Sequence, residues 1–317
     1  MNDQTTRRRF VQLTGATVAA TAGLGTAAAG DETATNWTTV ETPTGRTLYD
    51  VAATDAGVYA VGAGGVVLER GEAGYETVLD SGPTGNGNSL YGSAITDDGE
   101  RLWFVGSSGA IGEYDPARGT FTDYSAPNDV TNNFNDVAVT GAAGEANVYV
   151  AGDSGKIYYS FDNGETFEDV TPASGSNVNA VDFHDDRAGH IVDGNETVLY
   201  TEDGATWNTL GIADANVNFY GVDSDGFDDV TVSGGGGVVW NWDGSEWRAE
   251  DTGDAGLRDI EVTDSSGLTV GGGGKMYRRG PEGWIQEPTP TGSNLKAVLR
   301  GDIEVAVGAG GTVIENL

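Results

Sequence analysis

The 317-residue chain has no cysteine, which excludes disulfide frameworks, thiolate metal cages, thiol nucleophiles and haem attachment. Histidine is nearly missing: with only His184 and His190, one chain cannot build a three-histidine metal centre. Lysine is as scarce, at Lys156, Lys275 and Lys296. In total 16 Lys and Arg face 49 Asp and Glu, a formal net charge of −33. Nucleic acid is thereby excluded as a partner, because counterion release needs clustered Lys and Arg. Direct docking on anionic lipid is disfavoured for the same reason. Long amphipathic helical stretches are missing too.

What is present argues against disorder. The chain carries 7 Trp, 12 Tyr and 9 Phe with abundant Val, whereas acidic disordered chains are poor in such residues. Dense carboxylate with little lysine suits a protein working in concentrated salt, where self-repulsion is screened within a few ångström. A halophilic origin is the expectation. Residues 1–30 read as a leader. Thr6-Arg7-Arg8-Arg9-Phe10-Val11 resembles the twin-arginine motif, an uncharged and weakly apolar stretch follows, and Ala27-Ala28-Ala29 offers a cleavage site. Its threonines and glycines make it too polar to span a membrane. That route moves folded proteins, so the expected location is extracellular or at the cell surface, with residues 31–317 as the folded part.

A short unit, apolar-Gly-x-x-Gly-x-apolar, recurs along that part. Its second glycine falls at Gly65, Gly109, Gly155, Gly237, Gly274 and Gly311, with a degenerate copy at Glu196. An alternating apolar stretch such as Val58-Tyr59-Ala60-Val61 precedes each unit and predicts a strand. Two further markers keep step with it. One is apolar (Leu48, Leu90, Phe134, Val178, Phe219, Leu257, Leu295) and one aromatic (Tyr75, Phe121, Phe167, Trp207, Trp247, Trp284). Four short strands per period of roughly 40 residues predict an all-β, seven-bladed β-propeller. The seventh unit ends too soon for a fourth strand. Trp37 and Pro43-Thr44-Gly45 repeat the spacing of Trp284 and Pro290-Thr291-Gly292, so the N-terminal strand starting at Trp37 is expected to complete the last blade.

Ser160-Phe161-Asp162-Asn163-Gly164-Glu165-Thr166-Phe167 matches the Asp-box pattern, and Tyr200 to Trp207 is a weaker copy with Glu202 in place of Asp. With Asn179 to Trp207, this stretch resembles a blade of the photosystem II stability/assembly factor family. It is also similar to bacterial neuraminidase-type repeats, of the wider WD40/YVTN propeller kind. The likeness is sharpest over residues 132–210. It implies a propeller that binds proteins during assembly, although the chain lacks an arginine-rich patch. The Asp-box itself predicts a hairpin: Asp162 accepting backbone N–H groups, Gly164 at positive φ and Phe167 packed beneath.

Residues beside the apolar markers should meet at the channel mouth: Tyr49, Tyr91, Asn135, Asn179, Tyr220, Arg258 and Lys296. Tyrosines, amides and two cations there could hold an anion or a carboxylate; packing between blades, or pairing with Asp50, Asp136 and Asp259, is the structural alternative. Gly234 to Gly237 reads as turn glycines, since a strand follows where a phosphate cradle needs a helix. His184-Asp185-Asp186 reads as a solvated turn. Asp223 to Asp229 has a calcium-loop flavour but departs from the ligand spacing. Asn36 and Asn195 fit the glycosylation acceptor pattern, Asn195 being the better placed. No catalytic set, metal or cofactor is expected. The expected role is a monomeric binding module for a protein or a surface glycan. The other class open is a glycan-active hydrolase or lyase, for which the Arg-Ile-Pro motif of sialidases is missing.

Overall fold

A computed structural model of the chain describes residues 36–172, 175–212, 215–263 and 266–317, and the expected leader lies outside them. The described residues hold 28 short strands and no α-helix. They form seven antiparallel sheets of four strands each, arranged as meanders. Six blades are continuous in sequence, from Leu48–Leu79 through to Leu257–Glu287. The seventh joins Leu295–Leu299, Glu304–Gly308 and Val313–Asn316 to Thr38–Thr39, with Thr38 opposite Glu315 and Thr39 opposite Ile314. The expected latch is therefore present.

Burial grades from channel to rim, which explains the composition of each strand. Second strands such as Gly57–Gly62 and Leu102–Gly106 are buried throughout and read as apolar runs. Outermost strands such as Thr120–Asp123 are largely exposed and polar. The core has no single centre. It consists of seven clusters, one at each junction between adjacent blades, for example Trp103, Val105 and Ile111 of blade two against Phe134, Val137 and Val148 of blade three.

The repeated glycines have a physical cause. At the turn between second and third strands, Gly65, Gly237, Gly274 and Gly311 all have φ near +73°, a region costly for other residues. A Cβ on Gly311 would lie 1.9 Å from the Thr44 carbonyl oxygen, and one on Gly274 2.0 Å from that of Thr291. The chain leaving the outer strand runs against this turn, so only glycine fits. In the Ser160–Phe167 hairpin, Asp162 Oδ1 accepts from the Thr166 N–H at 2.9 Å, Gly164 has φ +80° and Phe167 is buried.

Candidate functional site

One device, repeated seven times, builds the channel mouth. The residue after the first glycine of each unit donates its N–H to the carbonyl just ahead of the inner strand: Ala63 to Thr47, Ser107 to Ser89, Asp153 to Asn133, Gly194 to Asn177, Gly235 to Asn218, Gly272 to Gly256 and Ala309 to Asn294. This bond draws the incoming chain onto the turn. Pairing then slips by one residue at the start of every inner strand, between Leu48 and Asp50, Leu90 and Gly92, Phe134 and Asp136, Val178 and Ala180, Phe219 and Gly221, Leu257 and Asp259, and Leu295 and Ala297. The residue skipped in each case is one of the seven mouth residues expected from the sequence. A bulge re-aims the side chain it frees. All seven, Tyr49, Tyr91, Asn135, Asn179, Tyr220, Arg258 and Lys296, line one cavity of about 100 Å³.

The seven do not act alike. Asn135 Nδ2 donates to the Val178 carbonyl at 3.0 Å, and Asn179 Nδ2 to the Phe219 carbonyl at 2.6 Å, so both amides tie their blade to the next. Tyr49 and Tyr91 meet edge to face at 5.1 Å between ring centroids. Burial, with Tyr91 alongside, pushes the Tyr49 hydroxyl up and keeps it a proton donor. The Arg258 guanidinium lies over the Tyr220 ring, 4.0 Å from its centroid. Half-burial, with Arg258 nearby, pushes the Lys296 ammonium down. The hydroxyls of Tyr49, Tyr91 and Tyr220, the guanidinium of Arg258 and the amine of Lys296 have no hydrogen-bond acceptor or ion-pair partner among the described residues. Elsewhere Arg46, Arg70, Arg101, Arg248 and Arg278 are all paired with carboxylates. The mouth is thus rich in donors and holds two cations on an otherwise strongly acidic protein.

The carboxylates beside these cations serve the ring. Asp50 Oδ2 accepts from the Ser93 N–H (2.6 Å) and hydroxyl of the next blade. Asp136 accepts from the N–H of Val137 and, across the junction, Val181. Asp259 does the same with Ile260 and Val298. A second tier lies deeper in the channel: Asp182 takes the Ser224 N–H, Asp223 that of Val262 and Glu261 that of Arg300. Where a blade lacks the upper Asp it carries a small residue instead. At Gly92 a Cβ would come within 2.7 Å of Asp136 Cα. Sequence reading missed this belt.

The expected solvated turn is present: Asp186 and Arg187 are exposed between the inner strand Val178–Asp185 and the second strand Ala188–Asp193, with His184 and His190 on either side. The contacts of the two rings were not foreseen. His190 is fully buried in the second strand of its blade, and both Nδ1 atoms meet Ser224 Oγ of the next blade, at 2.9 and 2.8 Å. In the Asp223 to Asp229 segment, whose spacing already departs from a calcium loop, the inner strand Phe219–Gly226 runs through and Asp223 is buried, accepting from the Val262 N–H. Among the described residues no group of three or more His, Asp or Glu is arranged to hold a metal ion.

The buried imidazole makes stability depend on pH. Burial, and then the charge of His184, push His190 down to about 3. Its folded value lies below its unfolded one, so the contribution of neutral His190 is complete above about pH 6.5 and is lost as pH falls toward 3, at up to about 1.4 kcal/mol per pH unit. Asp223 opposes this trend, since burial and then Asp225 and Asp182 push its carboxyl up. Comparing His190→Gln with the parent leaves Asp223 in both proteins. Urea unfolding from pH 7.5 to 4.5 is expected to show a shallower loss of stability in the variant.

No family model and no curated protein sequence matches the chain. Similarity lies in structure. A catalytically inactive variant of virginiamycin B lyase from Staphylococcus aureus, with quinupristin, superposes with a TM-score of 0.76 at 14% identity, over 88% of this chain and 98% of that one. YCF48 from Cyanidioschyzon merolae gives 0.69 at 17% identity, over 89% and 97%. A structure of YCF48 bound to D1 peptide gives 0.71 at 15% identity, over 90% and 96%. These likenesses establish the propeller fold.

Proposed function

We propose that the chain is an exported, non-catalytic propeller that binds a partner protein through its channel-mouth face and works in concentrated salt. The observation that carries this reading is the concentration of unpartnered donors, two of them cationic, at the one place where seven bulges aim side chains together. An acidic group on the partner would find two cations and three hydroxyls gathered there. YCF48, a propeller of similar architecture, is bound to a peptide in one of the structures compared, and that supports protein recognition. The neighbouring aspartates, engaged with backbone N–H groups of the next blade, support a scaffold more than a hydrolytic pair.

The test is capture of surface proteins of the source organism, in high salt, by the purified propeller as bait. A stoichiometric partner is expected, bound roughly 30-fold or more weakly after Tyr220→Ala and Arg258→Ala together, the loss that follows from removing a hot spot of about 2 kcal/mol. Capture unaffected by that double change, or none by a bait with native circular dichroism, would overturn the reading.

A further inference from the structure

Of the three lysines, Lys156 is paired with Asp169 and Lys275 donates to Gln286 on the blade surface. Lys296 is different. It is half-buried in the channel mouth, lines the cavity, and has no acceptor or counter-ion among the described residues. Its blade stands between two others. From blade six the Arg258 guanidinium faces the same cavity, and from blade one come Tyr49 and Asp50. The carboxylates that line the cavity, Asp50, Asp136 and Asp259, accept backbone N–H groups of Ser93, Val181 and Val298.

An amine held out of water beside a second cation is destabilised as an ammonium and favoured as a free base. This is the environment in which a lysine becomes a nucleophile toward carbonyl carbon. The cavity of about 100 Å³ has room for a few heavy atoms. Its other cation cannot lose its proton and presents a fork that matches a carboxylate. We propose that Lys296 is a carbonyl-capturing residue that forms an imine with small 2-oxo carboxylates, with Arg258 holding the carboxylate. The neutral Nζ adds to the carbonyl carbon, and one of its protons passes to the oxygen to give a carbinolamine. The C–O bond then breaks, the oxygen takes the second Nζ proton and leaves as water, and a C=N bond to Nζ remains. No electrons are exchanged and no further reactant is needed.

The inference uses the same cavity as the proposed partner site but does not depend on the partner, because it is read on the purified chain alone. The full chain is incubated with glyoxylate and sodium cyanoborohydride, which reduces the imine to a stable secondary amine, and the adducts are mapped by peptide mass spectrometry. Lys296 is expected to be derivatised at least roughly tenfold faster than Lys156, Lys275 or the terminal amine. Arg258→Gln should reduce that preference with glyoxylate, and acetaldehyde, which has no carboxylate, should show little of it in the parent. Lys296→Arg keeps the charge of the mouth and should leave only slow labelling elsewhere. Equal labelling of the three lysines in a protein with native circular dichroism would overturn the proposal. So would a Lys296 preference equally strong with acetaldehyde. Partner capture by the same preparation is scored separately, so one reading can fail while the other stands.

Discussion

Trp37→Ala is expected to destabilise the protein by about 4 kcal/mol, the cost of removing a fully buried indole and leaving a cavity. Trp37 is 1% exposed and stands just ahead of the two-residue strand that closes the ring. Its indole belongs to the cluster between blades six and seven, with Leu268, Val270 and Met276 on one side and Leu295, Val298, Ala306 and Ile314 on the other. The strand itself adds little: Thr38 and Thr39 pair with Glu315 and Ile314, and Val40 donates to the Val313 carbonyl. The latch therefore holds mainly by the side chain at its start. Equilibrium unfolding in urea at constant high salt measures the loss, and Trp37→Phe, which keeps an aromatic ring in the site, should cost less than half as much. A Trp37→Ala protein as stable as the parent would show that the latch is not anchored here.

The second large effect is expected at the opposite side of the same blade. Arg70, on the third strand of blade one, makes a two-pronged bond to Glu315 on the third strand of blade seven, at 2.8 and 2.9 Å. The Glu315 side chain is 3% exposed and that of Arg70 27%. Arg70→Met should cost about 3 kcal/mol, near the low end for a broken buried pair, because it strands a carboxylate away from water. Adding Glu315→Leu should restore most of that stability, since the penalty comes from the uncompensated charge and not from the missing attraction. The double-mutant cycle, read by urea unfolding, checks both signs. A double variant less stable than Arg70→Met would contradict this account.

How far the sequence could be read depended on repetition. The seven mouth residues were legible because each follows the same apolar marker and precedes the same glycine turn by a fixed number of strands; the bulge that exposes Tyr49 is the bulge that exposes Lys296. The latch was legible because Trp37 and Trp284 stand at equal distances from Leu48 and Leu295. The carboxylate belt was not. Asp50, Asp136 and Asp259 occupy one position of the unit, whereas Asp182, Asp223 and Glu261 occupy another two residues on, and both sets are hidden among 49 acidic residues. Contacts that cross a junction leave no periodic trace either. Ser224 meets His190 from 34 residues away, which no local spacing announces.

The closure of blade seven also orders events during synthesis. Thr38 and Glu315 are bonded across 277 residues, nearly the whole chain. Six blades can pack one upon another as they emerge from the ribosome, each finding its neighbour already made. The seventh cannot, because its outer strand is made first and must wait for Val313–Asn316. Until then Trp37 has no complete pocket. Bringing the ends together costs only slowly more with chain length, but the contact is the most distant available and so forms last. A polypeptide cut short before residue 313 keeps the strands of six blades but lacks the one to which Thr38–Thr39 pairs, and is expected not to close. In crowded conditions the waiting strand could instead join blade seven of another chain, producing an exchanged pair.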